Sequence, residues 1–175
     1  NVPSPKRGNA GDAGIDFYTP VDLTIEDMVK ANKNVENIVV STKVSGYGVV
    51  NVILDEDNQV KTLRMGPYSR VIIPSGIHGL IEPSDSALIA ANKSGVSTKK
   101  GLVYTAEVVD STYTGEIHIC VANISSCSTD IEMGGKLVQF MHVPVYLTEP
   151  EEITNEEFST ESPDWSNRGN NWQGS

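Results

Sequence analysis

Short runs of β-branched and aliphatic residues, each cut off by glycine or proline, leave this chain little room for anything but strands. The runs fall at residues 38–40, 49–54, 60–65, 71–73, 87–91, 102–109, 116–122 and 137–147. Between them stand Gly46, Gly48, Gly66-Pro67, Pro74-Ser75-Gly76, Pro83, Gly95, Gly115 and Gly134-Gly135. Many short strands with regular turns predict an all-β sandwich, jelly roll or barrel. Residues 77–81 and 116–121 partly alternate apolar and polar side chains, as a strand with one buried face does. One short helix is expected. Thr24 suits an N-cap, Glu26 and Asp27 suit a first turn, and Met28, Val29 and Ala31 follow, giving about three turns at most, ending near Asn34. Residues 54–59 read as a hairpin loop. There is no internal repeat.

The chain has 175 residues, enough for one ordinary domain, with 38% apolar and 21% charged residues, so a packed core is within reach. A net charge of −10 argues against stable nucleic-acid binding, which draws its affinity from phosphate neutralisation. It leaves room for a small phosphorylated ligand, which needs only a few placed cations. No apolar stretch is long enough to span a bilayer, and no secretion signal opens the sequence. Cys120 and Cys127 are read as reduced thiols, which predicts a soluble, cytoplasmic protein without a membrane role.

Strand character stops after Leu147. Residues 149–164 are acidic and lack Lys and Arg, and Arg168 is the only Lys or Arg after Lys136. The expected organisation is a β domain over 1–147 and an extended C-terminal arm over 148–175, anchored by Phe158, Trp165 and Trp172.

Several chemistries fail on spacing. His78, His118 and His142 stand far apart and form no zinc pattern. No GxSxG elbow is present. Asp55 and Asp57 lack the Gly and closing Glu of a calcium loop. Residues 94–101 do not match a P-loop.

Five separated segments carry a positive signal. They are Ala13-Gly14-Ile15-Asp16-Phe17-Tyr18; Asn92-Lys93-Ser94-Gly95-Val96-Ser97; Val109-Asp110-Ser111-Thr112-Tyr113-Thr114-Gly115-Glu116; Gly134-Gly135-Lys136-Leu137-Val138-Gln139-Phe140; and Arg168-Gly169-Asn170-Asn171-Trp172-Gln173-Gly174-Ser175. In this order the chain resembles the trimeric dUTP diphosphatase (dUTPase) family. An interruption at about residues 22–65 looks like an insertion, expected to be a decorative hairpin-and-helix elaboration or the seat of a protein partner.

The resemblance implies a β-clip or jelly-roll barrel, a homotrimer with shared active sites, and Mg²⁺-assisted hydrolysis of dUTP to dUMP and diphosphate. Asp110 is then the base that orients and deprotonates the attacking water. A carboxylate is a weak base until desolvation raises its pKa, which closure of the arm would supply. Tyr113 packs under the deoxyribose and leaves no space for a 2′-hydroxyl. Uracil is read by the main chain of Glu107 to Val109 and of His118. Lys93, Ser94 and Gly95 hold phosphates, as does Gln139. Arg168 reaches the γ-phosphate, and Trp172 stacks on uracil. Asp16 acts outer-sphere, organising Lys93 or waters around a Mg²⁺ held mainly by substrate phosphates.

The chain departs from the family pattern in places. Lys93 stands where Arg is usual, Glu107 where Gly is usual, and Thr112 where a second acid is common. The fifth motif is shortened before Trp172. Two other readings share the fold. A dCTP deaminase would need a glutamate where this chain has Cys120. A nucleotide-binding jelly-roll interaction protein would bind dUTP without turnover.

Overall fold

A computed structural model describes residues 1–33, 38–40 and 46–154. Arg168 and Trp172, with Phe158 and Trp165, lie outside the described residues. The chain forms two units, residues 1–145 and residues 146–175. In the second, residues 146–154 have no regular secondary structure and are exposed.

Among the described residues the first unit holds eleven strands and two short helices. They run β1 (Gly14–Tyr18), α1 (Ile25–Ala31), β2 (Ile38–Val40), β3 (Val50–Leu54), β4 (Val60–Met65), β5 (Arg70–Ile73) and β6 (Ser86–Asn92). Then come α2 (Ser94–Lys100), β7 (Leu102–Tyr104), β8 (Val108–Asp110), β9 (Ile119–Asn123), β10 (Thr129–Glu132) and β11 (Lys136–Pro144). Three sheets result, ordered β1-β11-β6-β8, β10-β4-β3-β2 and β5-β9-β7. All pairs are antiparallel except β2 with β3. The expected all-β architecture is present.

The apolar runs locate most strands but not all boundaries. The run at 102–109 is two strands in different sheets, broken at residues 105–107. Residues 77–81 are not a strand; only His78 bridges to Glu116. The expected helix α1 begins with a capping box: the Thr24 side chain accepts from the Asp27 amide, and Asp27 accepts from the Thr24 amide at 3.0 Å. It stops at Ala31 because Asn32 turns into the body. Its side-chain amide donates to Met28 O and Ile72 O and accepts from the Ile72 amide, at 2.7, 2.8 and 2.9 Å. A second helix, α2, goes beyond the single one expected. Gly95, Val96 and Thr98 are weak helix formers, but tertiary contacts override them. Val96 packs on the core, and Ser97 Oγ donates to Leu102 O at 3.1 Å.

Phe140 sits at the middle of the core, with the Phe17 ring at 4.6 Å and the Tyr104 ring at 5.7 Å. The segment at 22–65 is packed into the core. Met28, Val50, Val52, Val60, Leu63 and Met65 make up six of the twelve largest fully buried side chains described. They belong to the same cluster as Phe17, Ile73, Ile119 and Phe140. Sheet pairing contributes to this: β4 pairs with β10, far along the chain.

Candidate active site

The segment from β8 to β9 folds into a hairpin-like pocket of about 200 Å³, lined by Tyr104, Val108, Asp110, Tyr113, His118 and Cys120 among others. β8 is an edge strand, so half of its main-chain groups face away from the sheet. Glu107 O accepts the Ala90 amide at 2.7 Å, and Val109 lies opposite Leu88. By the antiparallel alternation, Glu107 and Val109 spend their main chain on β6, and Val108 turns its N–H and C=O toward the open edge. His118 O is also engaged, by the Tyr104 hydroxyl at 2.8 Å. Of the main-chain groups expected to meet a base, Val108 is therefore the free one in β8.

Asp110 ends β8 and is exposed. Its carbonyl accepts the Tyr113 amide at 3.0 Å and closes the turn. The Tyr113 ring lies across Gly115, where an added Cβ would come within 2.6 Å of the hydroxyl. That hydroxyl donates to Glu116 O at 2.8 Å. His118 Nδ1 is 3.0 Å from the same carbonyl, which makes it the protonated ring nitrogen. Burial pushes the Tyr104 phenol well above its ordinary range and also raises the Cys120 thiol. Both are neutral at pH 7.

A second cavity of about 210 Å³ is lined by Lys93, Ser94, Gly95, Val96 and Gln139. It joins the second and fourth motifs. The Val96 and Ser97 amides bond back to Lys93 O at 2.9 Å, so the Ser94 and Gly95 amides precede the helix's own ladder and are open to a ligand. Asp16 stands opposite Gln139 in the β1–β11 register, and Gln139 lies so close over Gly14 that a Cβ there would meet its Oε1 at 2.4 Å. Asp16 is buried and clamped by two ammonium groups, Lys93 and, at 2.9 Å, Lys136. The lysine pairing expected of Asp16 is present, and Lys136 joins it. Lys136 was legible in the fourth motif as a cation, but nothing in the sequence paired it with a residue so distant along the chain.

Burial alone would raise the Asp16 carboxyl, but hydrogen bonds and charge from Lys93 and Lys136 outweigh it and hold its pKa below the ordinary value. A carboxyl depressed on folding stabilises the fold above its unfolded pKa, and that stabilisation is lost as pH falls through the folded value. Wild-type protein should therefore lose stability on acidification below about pH 4 more steeply than Asp16→Asn; parallel melting curves of the two from pH 6 to pH 2 would disprove it.

The two cavities lie at opposite ends of β6. Asp110 pairs with Ala87, while Asn92 leads directly into Lys93. From Ala87 to Lys93 an extended chain advances about 20 Å. One chain therefore holds the hairpin carboxylate and the cationic cradle well apart. Among the described residues no three His, Cys, Asp or Glu side chains come together as a metal site, and both Asp16 oxygens already face lysines. No described helix is long and apolar enough to cross a membrane.

The dUTPase family model matches residues 57–167, more than half of the chain. The deoxyuridine 5′-triphosphate nucleotidohydrolase of Mycolicibacterium gilvum (strain PYR-GCK) is 28% identical over 158 residues, covering 89% of this chain and 76% of that protein. The mitochondrial protein of the same name from Homo sapiens is 24% identical over 150 residues, covering 86% of this chain and 43% of that one. In structure, the dUTPase from phage phi11 of S. aureus superposes with a TM-score of 0.60 at 17% identity, over 88% of this chain and 90% of that one. The EIAV dUTPase superposes with a TM-score of 0.58 at 18% identity, over 89% and 94%. At those identities the superpositions establish the shared fold. Together with the family match across β4 to β11 and the hairpin, they lead to one conclusion: the chain belongs to the dUTPase family.

Proposed function

We propose that this protein hydrolyses dUTP to dUMP and diphosphate, in sites built jointly by three copies of the chain. The separation of about 20 Å along β6 carries this reading. If the Asp110 pocket and the Lys93–Gln139 cradle act on one nucleotide, they must come from different copies.

The geometry supports a division of labour. The open Val108 main chain offers a donor and an acceptor to the base edge. Tyr113, held across Gly115, forms the floor for the sugar. The cradle of a neighbouring copy takes the phosphates, with Lys93 supplying a fixed charge because Asp16 holds it. Asp110 orients and deprotonates the attacking water. It is exposed in the single chain, so it becomes an effective base only when a neighbour and the closing arm exclude solvent. Arg168 and Trp172 complete the site from that arm, on the γ-phosphate and on uracil. When bound, Mg²⁺ would supply neutralisation of phosphate charge, and Asp16 would act on it outer-sphere only, through Lys93 or water.

Cys120 disfavours deamination. It occupies the pocket as a neutral thiol, where a deaminase would need a carboxylate to shuttle protons.

The test is diphosphate and ammonia release from dUTP, dCTP, dTTP and UTP with Mg²⁺. Diphosphate from dUTP alone is expected. Ammonia from dCTP, or tight dUTP binding without turnover, would overturn the proposal. Gly115→Ala should raise KM for dUTP about tenfold by dislodging Tyr113, with little change in melting temperature; an unchanged KM would remove Tyr113 from the sugar floor.

A further inference from the structure

Glu116 has a place in this site that the reaction does not assign. Its carboxylate accepts the Gly76 amide at 2.7 Å. The neighbouring Ile117 amide donates to Ile77 O at 2.9 Å, and Glu116 pairs with His78 as an isolated bridge. The hairpin tip is thus moored to the segment after β5 at residue 116. The main-chain carbonyl of that same residue receives the Tyr113 hydroxyl at 2.8 Å. Tyr113 is otherwise exposed, with 44% of its surface open, so its ring has few other restraints.

We infer that Glu116 is a positioning residue: its side chain fixes the carbonyl that holds Tyr113, and so sets how strictly the pocket refuses a ribose. The inference rests on the proposal that this pocket receives the deoxynucleoside. A sugar floor that can drop by a fraction of an ångström admits an extra hydroxyl. One that is hydrogen-bonded to a moored main chain does not.

Glu116→Ala removes the mooring, and Glu116→Gln keeps an acceptor for the Gly76 amide. Two readouts separate positioning from a general structural role. The first is the ratio of kcat/KM for dUTP to that for UTP. The Ala variant should lower it about fivefold, the scale of one lost hydrogen bond, and the Gln variant should restore most of it. The second is the ¹⁹F resonance of Tyr113 in 3-fluorotyrosine-labelled protein, assigned with Tyr113→Phe. It should shift or broaden in the Ala variant and recover in the Gln variant. A ratio and resonance both unchanged in Glu116→Ala would overturn the inference, as would equal losses on both nucleotides with an unmoved resonance. Should wild-type protein hydrolyse neither nucleotide, the proposed reaction fails, and the resonance alone still decides whether Glu116 holds Tyr113.

Discussion

Replacing Asp110 with asparagine should cut dUTP turnover by about a hundred- to ten-thousandfold, the range of a lost general base. It should leave the melting temperature and dUTP affinity nearly unchanged. The Asp110 carboxylate has no hydrogen bond or ion pair among the described residues, so asparagine disturbs no fold contact. The turn that carries it is closed by main-chain groups, the Tyr113 amide on the Asp110 carbonyl. Asparagine keeps the shape and can still hold a water, but it cannot take its proton. Near-normal turnover by the purified variant would strip Asp110 of the base role. Loss of dUTP binding together with turnover would point to a ground-state contact instead.

Removing residues 24–65 should abolish folding altogether. The cut takes six of the twelve largest fully buried side chains described and removes β4, the partner strand of β10 among the described residues. No comparable apolar surface remains to replace them. A graded version is more informative: Leu63→Ala, at a fully buried site in β4, should cost about 2–5 kcal/mol by denaturant unfolding. A folded, active deletion variant would show that the rest of the barrel closes without this segment.

That segment is also where sequence reasoning fell short. The five motifs drew attention to what matched and left residues 22–65 looking peripheral. Yet Val60 to Met65 already read as a strand run, and it is buried on both faces, Val60 and Thr62 on one and Leu63 and Met65 on the other. The strand at 129–132 was hidden for the opposite reason. Thr129-Asp130-Ile131-Glu132 contains one apolar residue, and it pairs through main chain and through Arg64 to Asp130 at 2.8 Å. α2 could not be read because its residues favour other conformations locally.

The candidate site was legible as residue types in order, since Asp110, Tyr113, Lys93 and Gln139 all fall in cavities or on their rims. Which of them share a cavity was not, because that depends on strand register. Val108, Lys136 and the side chain of Glu116 needed the pairing pattern and the hydrogen bonds before they could be singled out.

The distance between the two cavities has a genetic corollary. If each copy lends its carboxylate to one crevice and its cradle to the next, a variant defective only at Asp110 and another defective only at Lys93 are complementary. Co-expressed in one cell, mixed assemblies would contain some crevices with both parts intact, and two individually dead alleles would rescue each other in part. A copy defective at both positions would spoil two crevices of a mixed assembly, one through its missing carboxylate and one through its missing cradle.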